Sequence, residues 1–259
     1  VERVRRAGHP PGVERKALAG ERPADLSVQL ERPLPAPELL DPVLPALDAL
    51  GVTQCQGDLA VAGVVASAAA GCDVVFHVAA KAGIWGRYDV FHRVNVTGTE
   101  NVIAACRKHG VRRLVYTSSP SVVFDGRDME GVDESVPYPR RYQAYYPQTK
   151  ALAEQMVLRA NGPGLATVAL RPHLIWGPGD NHLLPRIIAR ARSGRLRRIG
   201  RTNALIDPVY IDNAAEAHVL AADRLAPGSP VAGRAYFITQ GEAIPVWDMI
   251  DALLRAAHM

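Results

Sequence analysis

A chain of the α/β class, with parallel strands joined by crossover helices into a doubly wound sheet, is what this sequence predicts. Two observations carry that expectation. From about Gly51 onward, short apolar runs rich in β-branched residues alternate with longer runs whose apolar residues recur at helical spacing. The three clearest strand candidates, 74–79 (VVFHVA), 113–118 (RLVYTS) and 165–170 (LATVAL), are apolar at consecutive positions, as strands covered on both faces must be.

Between the strands the helical runs have recognisable ends. The run Val94–Lys108 closes on basic residues and His109-Gly110, where a cation suits the helix dipole and glycine suits a left-handed cap. A second helix is expected from Tyr146-Pro147 through ALAEQMVLRA, because a proline in the first helical turn withholds a donor that has no partner there. Residues 1–45 are atypical: rich in Pro, Arg and Glu, they offer no strand and only a weak helical pattern near Glu38 to Leu50. The expected division is a main domain of residues 1–172 and 206–235 with a small C-terminal substrate lobe from 173–205 and 236–259.

Composition narrows the function classes. With 259 residues, 48% hydrophobic and 22% charged, the chain can bury one large core plus an appendage. Its formal charge of +4 suits an anionic ligand without requiring nucleic acid. The densest basic stretch, Arg186 to Arg201, begins with apolar residues at helical spacing and reads as a solvated helix face, so no nucleic-acid partner is expected. Cys55, Cys72 and Cys106 are widely spaced, with no CxxC pair and no Cys/His cluster, which predicts neither disulfide, zinc site nor any other metal. No targeting signal is visible, nor a run of about 18 apolar residues that could span a bilayer, and a reducing cytoplasm is the expected compartment.

The chemistry-bearing residues lie in the middle of the chain. Tyr146 and Lys150 are four apart at a helix start, so phenol and ammonium share one face. A tyrosine titrates near 10, and a neighbouring cation favours its phenolate, which makes it a usable acid or base. Thr117-Ser118-Ser119 ends an apolar strand, at the sheet edge where ligands bind in open α/β folds. Turn chemistry or helix capping would explain those hydroxyls equally well. His77, His92 and His173 lack a carboxylate or cysteine at ligand spacing and read as structural. Trp85, Trp176 and Trp247 could line an apolar pocket, although core packing suits at least one.

YTSSPSVVF (116–124), Tyr146-xxx-Lys150 and LRPHLIWGPGD (170–180) together resemble the extended short-chain dehydrogenase/reductases, which have a Rossmann-type sheet. More narrowly, VFHVAAKAGIWG (75–86), NVTGTENVIAAC (95–106) and YFITQGEAIPVWDMIDALL (236–254) resemble the 3-beta-hydroxysteroid dehydrogenase group, with the bacterial 2-alkyl-3-oxoalkanoate reductases nearest. The resemblance covers roughly residues 45–259. It implies oxidation or reduction, dependent on NAD or NADP, of a secondary alcohol or ketone on a bulky apolar substrate, with homodimerisation common among such proteins.

Residue by residue, the resemblance makes Tyr146 the proton donor or acceptor and Ser119 the hydrogen-bond partner of the substrate oxygen. Lys150 would hold the nicotinamide ribose and ease ionisation of the phenol. Asp58, with Leu59 beside it, would read the adenine edge. Ala79, Ala80 and Lys81 would lie along the pyrophosphate and ribose, Thr117 near the cofactor and Pro172 against the nicotinamide, while Asn95 would tie helix to strand. The family's first strand and glycine-rich turn have no counterpart here. Gly8-His9 looks like the end of the family's first helix, and the match lapses until ALDALGVTQCQGDL (46–59). A damaged or partial reductase with weak cofactor affinity is therefore expected, one whose C-terminus also precedes the last helices of the substrate lobe. A nucleotide-sugar epimerase or dehydratase, which would use the same tyrosine and lysine, is the alternative within enzymes. A non-catalytic dinucleotide sensor or scaffold is the alternative outside them.

Overall fold

The computed structural model describes residue 47, residues 49–180, 183–198 and 203–259. The region without a strand assignment, Gly8-His9 and most of the weak helical pattern before Leu50 lie outside the described residues.

Among the described residues six strands follow in order: β1 (Val74–His77), β2 (Arg113–Thr117), β3 (Ala166–Pro172), β4 (Leu205–Ile206), β5 (Arg234–Ile238) and β6 (Ile244–Pro245). Four of them form a parallel sheet in the order β1-β2-β3-β5, and β4 pairs antiparallel with β6 in a separate two-stranded sheet. The parallel register sets Thr117 opposite Leu170 and Pro172 opposite Ile238. The carboxyl ends of β1, β2 and β3 therefore lie along one rim. Among the described residues β1 is an edge strand.

Helices cover both faces, because successive side chains of a strand point opposite ways. Leu114, Tyr116 and Ala169 pack with residues of α1 (Ala62–Ala69), α3 (Gly98–His109) and α4 (Tyr145–Ala160). Val115, Val168 and Leu170 pack on the other side with Ala214 and Ala222 of α6 (Ile211–Arg224). This two-sided burial is the doubly wound, Rossmann-type arrangement that the consecutive apolar positions predict, and it explains why every residue of β3 is buried.

Boundaries differ from the sequence reading where side chains intervene. The helix expected at Val94 begins at α2 (Tyr88–His92), passes through a π-helical segment, Arg93–Thr97, and continues as α3. It ends as expected at Gly110, whose φ of 70° is the left-handed cap. β3 extends two residues past Leu170 because Arg171, a charge in an otherwise apolar strand, finds a buried carboxylate. In the basic stretch, α5 (Leu183–Arg192) has no buried residue, and Asp180 caps its start by accepting from the Leu183 and Leu184 amides at 3.0 and 2.8 Å. The remaining helix, α7 (Val246–Ala256), follows β6.

Candidate active site

Tyr146 and Lys150 enter the rim from the first turns of α4. The helix begins at Tyr145, so Pro147 is its third residue; the amide it lacks would still have had no partner within the helix. Lys150 is buried. Its Nζ donates to the Thr117 carbonyl at 2.6 Å and lies 4.1 Å from the centre of the Tyr116 ring. Burial pushes the ammonium down to about 7, with Glu154 one turn further along α4 opposing the shift.

Ser119 lies beside the Tyr146 phenol, which stands above its ordinary value, since burial disfavours the phenolate more than the serine hydroxyl favours it. The i, i+4 spacing by itself predicts that Lys150 draws the phenol down. In the folded chain burial outweighs any such pull, and the ammonium is aimed at Thr117.

Ser119 combines the two readings open at the sequence level. It caps the 3₁₀ turn Pro120–Val123, its Oγ accepting from the Ser121 amide at 3.2 Å and lying 2.9 Å from Ser121 Oγ, and its hydroxyl lies beside the phenol, where it favours the phenolate. Ser118 is buried, its amide donating to the Leu170 carbonyl at 2.6 Å, and its hydroxyl has no partner among the described residues. Thr117 Oγ1 lies 2.8 Å from His218 Nε2, and His218 Nδ1 lies 2.6 Å from the Ala214 carbonyl. A carbonyl only accepts, so Nδ1 carries the proton and Nε2 accepts from Thr117. Burial lowers the pKa of His218, which keeps that ring neutral.

Asn95, in the π-helical segment, joins three elements. Its Oδ1 accepts from the Lys81 amide at 2.7 Å, and its Nδ2 donates to the Lys81 carbonyl at 3.1 Å and to Thr149 Oγ1 at 2.9 Å. Thr149 in turn donates to the Tyr145 carbonyl at 2.8 Å. The loop after β1, which carries Ala79, Ala80 and Lys81, is thereby fixed against the start of α4. His77 is satisfied structurally: its Nε2 meets Thr99 Oγ1 at 2.8 Å, and burial first, then Lys150, lowers its pKa to about 3.

Asp58 stands apart from this cluster, accepting from the Ala60 amide at 2.8 Å and pairing with Arg93. Leu59 beside it is buried under Gly98, where an added Cβ would come within 2.9 Å of the leucine Cβ.

The rim suits the ribose and nicotinamide half of a dinucleotide. Lys150 has three ammonium protons and donates one to Thr117. Pro172 closes β3 at the same rim. Asp58 is held by Arg93 of the π-helical segment, and the Leu59 carbonyl accepts from Asn101 of α3.

A buried knot beneath the rim escapes a reading of the sequence. Arg171 donates to both Glu154 oxygens, Nε at 3.0 Å and Nη2 at 2.6 Å, and the Tyr138 hydroxyl donates to Glu154 Oε1 at 2.6 Å. The available signals were Glu154 four residues beyond Lys150 and a lone arginine just before Pro172. Among the described residues no group of three His, Cys, Asp or Glu side chains could hold a metal ion, and no helix is long and apolar enough to cross a membrane.

Comparison with known proteins bears on the family and the fold. The chain is 56% identical over 214 residues to a 2-alkyl-3-oxoalkanoate reductase of Stenotrophomonas maltophilia (strain K279a), covering 82% of this chain and 65% of that protein. It is 51% identical to the 2-alkyl-3-oxoalkanoate reductase of Shewanella oneidensis, over 80% of this chain and 56% of the relative. The human sterol-4-alpha-carboxylate 3-dehydrogenase, decarboxylating, is 39% identical, over 73% of this chain and 51% of the relative. The chain thus spans just under two thirds of the length of the first of these relatives, and less of the others. Among solved structures, a UDP-glucose 4-epimerase of Thermus thermophilus in complex with NAD superposes with a TM-score of 0.64 at 26% identity, over 80% of this chain and 70% of that one. The model of the 3-beta hydroxysteroid dehydrogenase/isomerase family matches residues 40–259, and the chain belongs to that family.

Proposed function

We propose that the protein interconverts a secondary alcohol and a ketone on a bulky apolar substrate, using NAD or NADP. One observation carries the reading: the Tyr146 phenol, beside Ser119, shares a helix face with a buried Lys150 at the carboxyl rim of a parallel sheet. The names of the relatives, reductases of 2-alkyl-3-oxoalkanoates and dehydrogenases of sterols, support the substrate class.

A nicotinamide dinucleotide held at this rim would supply or accept the hydride. In the reducing direction Ser119 holds the carbonyl oxygen and Tyr146 delivers a proton to it. A phenol held above its ordinary value stays protonated at neutral pH, as a general acid requires. Lys150 would stabilise the phenolate left behind and hold the ribose hydroxyls of a bound dinucleotide. Ala79, Ala80 and Lys81 would line its ribose and pyrophosphate, Thr117 and Pro172 its nicotinamide, and Asp58 with Leu59 its adenine edge, with Asn95 holding the Lys81 loop in place. We assign residues 173–205 and 236–259 to the substrate lobe and 1–172 with 206–235 to the cofactor domain. A cytoplasmic setting, suggested by three cysteines that form no disulfide, and a homodimer without nucleic-acid contact belong to the same reading.

The test is oxidation of NADPH and NADH in the presence of 2-alkyl-3-oxo acids. Tyr146→Phe should reduce turnover by about 10²- to 10⁴-fold while nucleotide binding persists. A phenylalanine variant as active as the parent would remove Tyr146 from the chemistry.

A further inference from the structure

A buried ammonium needs a partner of negative charge or negative potential, because the interior solvates it poorly. Lys150 is buried, and the carboxylate one turn along its own helix is committed elsewhere. Both Glu154 oxygens accept from Arg171, at 3.0 and 2.6 Å, and Oε1 also accepts from the Tyr138 hydroxyl at 2.6 Å. His77, which acts on Lys150 from β1, offers no negative charge: its Nε2 meets Thr99 Oγ1 at 2.8 Å, and its lowered pKa keeps the ring neutral. Tyr146, one turn earlier on α4, is a neutral phenol held above its ordinary value.

Two partners remain to Nζ among the described residues: the Thr117 carbonyl at 2.6 Å and the Tyr116 ring, whose centre is 4.1 Å away. An aromatic face carries negative potential and attracts a cation most strongly where water is excluded. Tyr116 is almost wholly buried in mid-sheet, between His77 of β1 and Ala169 of β3 in the register, with the His77 ring 5.4 Å from its own. Its hydroxyl has no hydrogen-bond partner among the described residues, so the aromatic face, not the polar tip, is the part that meets a charge.

We propose that Tyr116 is a positioning residue for the reaction: the face of its ring holds the Lys150 ammonium in its charged form against the Thr117 carbonyl. That role rests on the ketone-reducing reading above. A tyrosine that served the core alone would be replaceable by any ring of its shape. This one depends on the electron density of the ring face, and a phenylalanine should serve as well because the hydroxyl makes no bond.

The experiment replaces Tyr116 in the full chain by phenylalanine, leucine or pentafluorophenylalanine, the last a ring of nearly phenyl shape whose face no longer attracts cations. Lysine is labelled at Cε, and the resonance that disappears in Lys150→Met is followed by NMR as pH rises. Lys16, Lys81 and Lys108 are the other lysines of the chain. The pH dependence of kcat/KM is measured beside it with NADPH, NADH and a 2-methyl-3-oxo acid. Tyr116→Phe should leave the Lys150 midpoint where the parent has it, since losing an unpartnered hydroxyl costs the fold little. Tyr116→Leu and the fluorinated ring should lower the midpoint by about one pH unit, and the alkaline limb of kcat/KM should move down with it. A fluorinated protein that titrates with the phenylalanine variant overturns the proposal, whether or not the leucine variant folds. So does a limb that stays in place while the midpoint moves. If the parent turns over no ketone, the proposed reaction fails and the resonance alone decides the hold of the ring on the ammonium.

Discussion

Lys150 is the residue whose environment departs furthest from what its position in the sequence suggests. An ammonium on a helix near a rim would ordinarily keep its proton far above neutrality; here burial brings it to about 7, against 10.5 in the unfolded chain. If the proton is needed for phenolate stabilisation and ribose binding, kcat/KM for reduction should fall as pH rises through about 7, because the ammonium is lost above its folded pKa. Lys150→Arg should slow the reaction yet move that alkaline limb upward, since a guanidinium stays charged. A limb that does not move would show that another group sets it. The pairing of Tyr146 with Lys150 is legible in the sequence because helical periodicity alone decides it. The partners of both are not, since Ser119 arrives from β2 and Thr117 offers its carbonyl, a group that no side-chain pattern reveals.

At the scale of elements, the knot of Tyr138, Glu154 and Arg171 ties α4 to β3 and to the segment before α4. Glu154 is fully buried, and Arg171 is almost so. Removing one charge leaves the other uncompensated in a medium that solvates it poorly. Glu154→Ala should cost about 3–5 kcal/mol by denaturant titration, whereas Glu154→Leu with Arg171→Met should be much less damaging than the single change. Equal damage from single and double variants would assign the cost to packing. The same knot explains why β3 runs on to Pro172. A strand predicted from apolar periodicity stops at Leu170, because only the paired carboxylate makes a buried arginine tolerable. The π-helical segment is a comparable case: Asn95 reaches the Lys81 backbone and Thr149, contacts set by the fold.

For the whole molecule, buried bases should make stability strongly dependent on pH. His77 binds a proton at about 3 when folded and at 6.5 when unfolded, and His173 and His218 are lowered in the same sense. Between those values the unfolded chain holds more protons, so stability should be lost as pH falls from 6.5, at up to about 1.4 kcal/mol per pH unit for each fully shifted group. Lys150 acts likewise in a higher window: stability should rise as pH goes from about 7 towards 10.5, where only the folded chain has given up the proton. Thermal melts from acid to alkaline pH would read both windows. His77→Gln should flatten the acid one and Lys150→Met the alkaline one. Identical slopes in variant and parent would mean that other groups govern the linkage.

The sequence by itself determined the α/β class, the parallel strands buried on both faces, the capped end at Gly110 and the shared face of Tyr146 and Lys150. All of these depend on local periodicity and on backbone preferences that act within a few residues. The tertiary structure alone decided that the Lys150 ammonium donates to the Thr117 carbonyl, that Lys150 is buried to the point of titrating near neutrality, and that Arg171 lies within the sheet. It also left Trp85 in solvent. Those outcomes depend on which distant segments become neighbours and how much water they exclude, and desolvation is a property of the assembled core.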